Sequence, residues 1–431
     1  MVEDTIVAPI SGPGPSAIAV LRLSGPDSYL IASQVFSPWP VPVRPLHAVY
    51  GKFAHGDDGI VLPFQAGKSF TGEETVELSI HGSRASVQGL LDACLQAGAR
   101  IAKPGEFTQR AFMNGRVDLT QAEAIRETIE ADTERQLRAA NRAREGRTGD
   151  AVRQILKSIM SVIALVEATV DFSEEIGDLD REEAARILKE ATKTLEILAS
   201  RAENARLVRN GIYIAIIGPP NSGKSSLLNS ILNSDRALVS SIPGTTRDFL
   251  EERVSLNGYL VTLADTAGLR DTEDPIETLG IVRSYDIAGQ ADMVWFLFDS
   301  SQGLSPQDED IYNSISTKKL LLANKSDLAK PSKGLAISAK TGEGILELTD
   351  HVINEFETLG DEPSPNERQL SLLLQALSTL LESVDHLHAD TPVDLISVLL
   401  NDAYSSLAEI TGDQIEEDMI DRIFRDFCLG K

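Results

Sequence analysis

The chain has 431 residues, 42% of them hydrophobic, which suits two or three domains with apolar cores. A net charge of −25 excludes a protein that coats nucleic acid non-specifically, though it leaves room for RNA contact through a local basic surface. With only Cys94 and Cys428, no disulfide framework or zinc cluster is available, and the lack of a leader or a long apolar run predicts a soluble, cytoplasmic protein without a membrane partner.

Residues 1–118 read as an α+β domain. Ala17–Leu23, His47–Ala54 and Glu74–Ile80 alternate as strands do, Ser83–Ala97 has helical spacing, and Pro and Gly crowd the start and residues 38–45. From Leu119 to Val208 the pattern is helical, and Ile187, Ala191, Leu195, Leu198 and Ala202 recur as an apolar stripe. Arg135, Arg138 and Arg142, with Arg144 and Arg147 close by, are spaced to share a helix face: a basic surface for RNA or an ordinary solvated face.

Residues 211–356 alternate strands and helices, as in a doubly wound parallel sheet. Helices resume after the Glu362-Pro363-Ser364-Pro365 break and run to Phe427. They are too few for a core of their own, so they are expected to pack with the helices that precede residue 211. The predicted fold class is therefore multidomain: an α+β N-terminal domain (1–118), an all-α domain in two parts (119–210 and 357–431), and an inserted α/β domain (211–356).

The inserted segment opens with Gly218-Pro219-Pro220-Asn221-Ser222-Gly223-Lys224-Ser225, a complete G-x-x-x-x-G-K-[ST] phosphate loop. It lies between an apolar strand, Ile212–Ile217, and a helix through Leu227–Leu232. In that setting backbone N–H groups wrap a polyphosphate, Lys224 reaches the terminal phosphates, and the Ser225 hydroxyl ligates Mg²⁺. Asn324-Lys325-Ser326-Asp327 follows a second apolar strand, Leu320–Ala323. The Asp327 carboxylate can accept from N1–H and the N2 amino group of guanine, whereas adenine offers it a lone pair. Ser338-Ala339-Lys340 can offer N–H groups to the guanine O6. Alone, NKSD reads as a polar turn; behind a phosphate loop it selects GTP.

Gly244-Thr245-Thr246-Arg247-Asp248 and Asp265-Thr266-Ala267-Gly268 lie between these motifs. A threonine that completes the Mg²⁺ shell and an Asp-x-x-Gly turn that senses the γ-phosphate form the switch arrangement of GTPases. Many GTPases follow that glycine with a glutamine that positions water. Leu269 stands there instead and cannot do so. Asp271, Glu273, Asp274 and Glu277 are the nearby carboxylates, and the residues alone do not choose among them.

With GTTRD, DTAGLR, NKSD and the final Phe427-Cys428-Leu429-Gly430-Lys431, the chain closely resembles the MnmE (TrmE) family of tRNA-modification GTPases, nearly end to end. The N-terminal blocks Leu21-Arg22-Leu23-Ser24-Gly25, Thr71-Gly72-Glu73-Glu74, Pro104-Gly105-Glu106-Phe107 and Asp118-Leu119-Thr120-Gln121-Ala122-Glu123-Ala124 carry the same resemblance. It implies an N-terminal domain that dimerises and binds a tetrahydrofolate one-carbon donor, 5,10-methylenetetrahydrofolate, with 5-formyltetrahydrofolate as analogue. It also implies a homodimer joined by the FAD protein MnmG in a heterotetramer. The complex installs an aminomethyl-type (carboxymethylaminomethyl) group on carbon 5 of the wobble uridine of certain tRNAs, and GTP hydrolysis drives the cycle.

The resemblance also implies roles for particular residues. The folate site maps to Arg22, Glu77, Arg116 and Lys431, with Arg116 where the family usually has lysine. Nucleotide contacts map to Asn221, Ser222, Gly223, Lys224, Ser225 and Ser226; to Ser240, Ser241, Ile242, Pro243, Gly244, Thr245 and Thr246; to Asp265, Thr266, Ala267 and Gly268; and to Asn324, Lys325, Asp327, Ser338, Ala339 and Lys340. Mg²⁺ falls to Ser225 and Thr246. A K⁺ ion in place of an arginine finger falls to Asn221, Ser240, Ile242 and Thr245. Catalysis falls to Lys224 and to Glu277 as the water-orienting group. Cys428 is either a participant in the modification chemistry or a structural thiol. A ribosome-assembly or signalling GTPase would use the same nucleotide motifs, but not the N-terminal blocks or the FCLGK end. A folate-binding scaffold with a decaying GTPase would not keep every motif intact.

Overall fold

The computed structural model describes residues 4–12, 14–171, 178–232, 250–265, 288–356, 364–389, 391–425, 427 and 430. They fall into two compact units, Met1–Arg126 with Ala143–Leu195 and Leu372–Lys431, and Glu127–Arg142 with Glu196–Ser371.

In the first unit a mixed sheet forms from β1 (Ile6–Pro9), β2 (Ser16–Ser24), β3 (Phe36–Ser37), β4 (Val49–Phe53), β5 (Asp58–Phe64), β6 (Thr75–Gly82) and β7 (Arg100–Ile101), in the order β3-β4-β5-β6-β2-β1-β7. β1 and β7 run parallel; the other pairs are antiparallel. Strand alternation divides the side chains between two faces. One face carries Val7, Leu21, Leu23, Val61, Val76 and Leu78 into a core with Ile31, Ala32 and Val35 of α1 (Ser28–Val35) and Leu90 and Cys94 of α2 (Arg84–Gln96). The Ser83 hydroxyl accepts from the Ser86 N–H and starts α2. The other face carries Ala8, Arg22 and Glu77, which are register neighbours, and further along it Ile18, Ile60 and Tyr50, which are exposed.

Residues 1–118 thus hold more helix than the single one expected from sequence. Two were missed, α1 and α3 (Glu106–Met113). α1 is eight residues long, too short for periodicity to register. α3 buries Glu106 and Arg110, charges that read as surface.

Among the described residues, α4 (Leu119–Glu130), α5 (Glu134–Arg144), α6 (Arg147–Asp171) and α7 (Arg181–Asn210) come next in the chain, and α11 (Glu367–His388), α12 (Val393–Thr411) and α13 (Glu417–Arg425) are the last. α6 buries Val152, Ile155, Ile159, Val162 and Val166 at helical spacing, and α12 packs along it with Ile396, Leu400, Ala403 and Leu407 buried. α13 packs on α3, and its Ile420 and Phe424 join Phe427, Leu119 and Ala122. On α7 the expected stripe is buried at Ala191, Leu195, Leu198 and Ala202, but at its start Leu188 is fully buried and Ile187 only half-buried, because Ala184 and Leu188 align better with that row.

In the second unit a six-stranded sheet has the order β13-β12-β11-β8-β10-β9: β8 (Ile212–Ile217), β9 (Leu250–Leu256), β10 (Tyr259–Asp265), β11 (Met293–Asp299), β12 (Lys319–Asn324) and β13 (Leu335–Ala336). Helices α8 (Lys224–Leu232), α9 (Pro306–Ser314) and α10 (Ile345–Phe356) intervene. The sheet departs from all-parallel at β9, which returns antiparallel to β10 through Asn257-Gly258, both with positive φ. Arg135 lies over the Tyr259 ring at 4.1 Å, Arg138 pairs with Glu134 at 3.1 Å, and in the first unit Arg147 pairs with Glu145 at 2.9 Å. Arg138 and Arg147 stay 55% and 69% exposed in these pairs, as on a solvated surface.

Candidate functional site

β8 lies between β11 and β10, and the strand order reverses there, which opens a crevice at the carboxyl ends of the strands. The phosphate-loop residues leave β8 at that point. Gly218 has φ +153, and a Cβ on it would stand 2.0 Å from the Leu297 carbonyl oxygen. Gly223 has φ +96, and a Cβ there would stand 2.2 Å from Asn324 Nδ2. Asn221 also takes a left-handed φ of +60. The Lys224 ammonium curls over the loop, donating to the Gly218 and Pro219 carbonyls at 2.9 Å each. Ser225 and Ser226 are exposed on the first turn of α8. The buried Ser222 hydroxyl has no hydrogen-bond partner among the described residues. A glycine-lined cradle closed by a lysine at a helix N-terminus fits a polyphosphate with its Mg²⁺.

The NKSD turn meets this loop through Asn324, which is 2% exposed. Its Nδ2 donates to the Ser222 carbonyl at 2.8 Å, and its Oδ1 accepts from the Ala339 N–H at 3.0 Å. Ser338 Oγ donates to Asp327 Oδ1 at 2.7 Å and leaves that exposed carboxylate's other oxygen facing out. Lys340 is exposed beside them. The phosphate loop, NKSD and SAK therefore form one bonded cluster, as their motifs imply. Sequence reading missed Asp299, which ends β11 in register with Asn324 and takes the Lys325 ammonium at 2.6 Å. Burial pushes its carboxyl up, but bonds from Lys325 and Ser301 outweigh this and hold it below the usual carboxylate range.

At the sheet of the first unit, Arg22 and Glu77 pair at 2.8 Å. Phe70 was not singled out from sequence, and Phe107 only as part of the Pro104–Phe107 block, yet their rings approach the guanidinium to 4.9 and 5.5 Å. Arg22 Nη1 is buried and has no partner among the described residues. Gly430 packs against the Pro9 carbonyl at the end of β1, beside β2. Arg116 is exposed and stands against Gly72, two residues along the loop from Phe70, where it lines a cleft of about 560 Å³ with Asp118, Arg153 and Asp413. A cation with an unmet donor between two aromatic rings suits a flat heteroaromatic ligand that offers acceptors.

The loop residues Ser240, Ser241, Ile242, Pro243, Gly244, Thr245 and Thr246, the turn Thr266, Ala267 and Gly268, the carboxylates Asp271, Glu273, Asp274 and Glu277, and Cys428 and Lys431 lie outside the described residues. The backbone of Asp265 ends β10 beside Ile216. Among the described residues, no helix is long and apolar enough to cross a membrane.

A family model described as the GTP-binding protein TrmE N-terminus matches residues 5–116, and one described as the MnmE helical domain matches residues 119–428. A curated tRNA modification GTPase MnmE from a Synechococcus species is 39% identical over 447 residues, covering 100% of this chain and 99% of that protein. Another from Desulforamulus reducens is 37% identical over 464 residues, covering both chains fully. The solved structure of Aquifex aeolicus Era bound to GDP and AlF4⁻ matches 39% of this chain and 67% of that one at 22% identity, with a TM-score of 0.27, at which the likeness carries no argument.

Proposed function

The chain belongs to the MnmE family of tRNA modification GTPases, and from there we propose that it hydrolyses GTP within a complex that adds a carboxymethylaminomethyl-type group to carbon 5 of wobble uridine, drawing one carbon from 5,10-methylenetetrahydrofolate. The observation that carries this reading is the single bonded cluster of phosphate loop, NKSD and SAK in a chain whose family likeness runs its full length. The domains are assigned as 1–118, 119–210 with 357–431, and 211–356.

In the α/β domain the loop N–H groups and Lys224 bind and orient the phosphates. Ser225 and Thr246 hold Mg²⁺. Asn221, Ser240, Ile242 and Thr245 hold K⁺. The two cations supply positive charge where negative charge develops on the transferring phosphoryl group. Glu277 orients the attacking water in place of the missing glutamine. Asp327, steadied by Ser338, selects guanine. Equal turnover in K⁺ and Na⁺ would remove the potassium assignment, and full turnover in Glu277→Ala would pass the water to Asp271.

In the N-terminal domain Arg22 and Glu77 bind the folate with Arg116 and Lys431. Two features support that site: the buried, unmet Nη1 of Arg22, and Gly430 bringing the end of the chain to β1. The exposed apolar end of the same sheet face, with Ile18, Ile60 and Tyr50, suits the pairing of two copies. An MnmG-type protein brings FAD, whose redox chemistry acts on the tRNA. The cycle runs in the cytoplasm. Cys428 keeps two roles, in the chemistry or in the tail, which Cys428→Ser complementation separates.

Mass spectrometry of wobble nucleosides in bulk tRNA, from cells with and without this gene, tests the reading. Loss of the carbon-5 substituent, restored by the wild-type gene and not by Asp327→Asn, is the expected result. An unchanged profile would transfer the activity to an RNA-binding GTPase switch.

A further inference from the structure

Asp299 lies outside every nucleotide motif, yet it is 7% exposed and faces the NKSD turn. We propose that Asp299 is a positioning residue for guanine binding: with Ser300 it fixes the Asn324–Lys325 backbone, so that the Lys325 stem walls the base pocket. This rests on the reading of NKSD as a guanine site.

The contacts around Asp299 divide cleanly. Its Oδ2 accepts from Lys325 Nζ at 2.6 Å, while Oδ1 accepts from the Ser301 N–H at 2.9 Å and the Ser301 hydroxyl at 2.7 Å. Ser300 donates to the Asn324 carbonyl twice, from its N–H at 2.8 Å and its hydroxyl at 2.6 Å. The end of β11 thus holds the first two residues of NKSD by both backbone and side chain. Lys325 has φ +61, a conformation that a non-glycine residue keeps only where its surroundings dictate it.

The bond to Asp299 also decides what Lys325 does. An ammonium anchored to a buried carboxylate does not point at the ligand. The part left to meet a purine is the four-carbon stem, which offers an apolar wall. Asn324 is fixed from the other side by the Ser222 carbonyl and the Ala339 N–H. The turn that carries Asp327 is therefore held on both flanks, and Asp299 supplies the flank that no motif includes. Without it, Lys325 regains its rotamers and the guanine-selecting carboxylate loses its fixed start.

The test uses the full chain and equilibrium binding of a fluorescent GDP analogue, with GTP and ATP as competitors, across wild type, D299N, K325M and the double variant. Removing one charge-assisted bond is expected to weaken GDP and GTP binding by about tenfold in each single variant. Because Asp299 acts through Lys325, the double variant should bind about as weakly as the worse single one. In steady-state hydrolysis the KM of D299N should rise by more than its kcat falls. Should D299N fail to fold, Ser300→Ala carries the test, with a loss of about threefold expected from one hydroxyl bond. D299N binding like wild type, losses that multiply in the double variant, or an unaltered S300A after a misfolded D299N would each overturn the proposal. A wild-type chain that binds ATP as tightly as GTP would instead remove the guanine reading on which it stands.

Discussion

Arg22 and Glu77 face one another across β2 and β6, and the arginine's Nε and Nη2 converge on a single carboxylate oxygen, Oε1, at 3.2 and 2.8 Å. Nη1 is buried with no acceptor among the described residues, and the Phe70 and Phe107 ring centres lie 4.9 and 5.5 Å from the guanidinium carbon. A desolvated donor of this kind costs free energy until an acceptor arrives, so the pair is set up for a ligand rather than for stability. Both residues share a sheet face with the exposed Ile18, Ile60 and Tyr50, which links the proposed folate site to the surface proposed for pairing two copies.

Arg22→Met keeps the length of the side chain and removes the unmet donor. It also leaves Glu77, 24% exposed, without its partner, so stability should fall by about 1–3 kcal/mol. Its effect on 5-formyltetrahydrofolate should be large, at least about tenfold weaker by isothermal titration, from the loss of a charge-assisted bond. Unchanged folate affinity would detach Arg22 from the ligand.

Asn324 ties the phosphate loop to the guanine side, and two substitutions test that tie. Asn324→Ala would leave the Ser222 carbonyl and the Ala339 N–H unpaired, at about 2–4 kcal/mol of local stability. Amide exchange at Ala339 should then accelerate without global unfolding. Gly223→Ala forces a Cβ to 2.2 Å from Asn324 Nδ2 at a φ of +96. It should cut GTP affinity by about a hundredfold or more, since strain and a displaced cradle add. A G223A chain that still binds GTP normally would mean the loop has another way to open.

Most of this architecture could be read from the chain because strong local patterns produce it. The phosphate loop lies between an apolar strand and a helix, and those flanks alone predict β8 and α8. The Ser83 cap and the alternation in Thr75–Gly82 are equally local. What escaped was long-range. Arg110 lies on α3, a helix the sequence pattern did not reveal, and only the tertiary fold brings Asp4, Glu73 and Glu106 to it. Phe107 is buried in the core, and only the fold brings Arg22 beside its ring. Asp299 reads as the polar end of an apolar strand, and its partner Lys325 lies one strand over. Pairings fixed by sheet register leave no periodic trace in sequence.

Cys94 offers a chemical check on the sheet–helix core. It is fully buried on the face of α2 that packs in the sheet core, and burial pushes its thiol up to about 12, so it holds almost no thiolate at neutral pH. Iodoacetamide at pH 8 should leave Cys94 unmodified in the native chain and alkylate it fully in denaturant, as read by peptide mass spectrometry. Rapid native labelling at Cys94 would mean that α2 opens readily from the sheet.

The charged knot around Arg110 sets an acid limit on stability. Arg110 is 3% exposed and pairs with Asp4 at 2.6 Å, Glu106 at 3.0 Å and Glu73 at 3.2 Å. Arg100 and Arg110 hold the Asp4 carboxyl below its usual range. Burial raises Glu106, but Arg100, the Lys103 N–H and Arg110 outweigh it, and the net direction is down. A carboxyl lowered on folding contributes stability above its unfolded pKa, near 4, and loses it as pH falls through the folded value. Arg110→Met removes the cation shared by Asp4, Glu73 and Glu106, while Glu106 keeps Arg100 and the Lys103 N–H, and should destabilise the N-terminal domain by about 1–3 kcal/mol at pH 7. Asp4, about two-fifths exposed at 43%, contributes little of that because solvent screens it. Denaturant titrations of both chains between pH 7 and pH 3 should show the gap narrowing below about pH 4, as the wild type loses what the variant never had. A gap that stays constant over that range would assign the loss to packing around α3 rather than to charge.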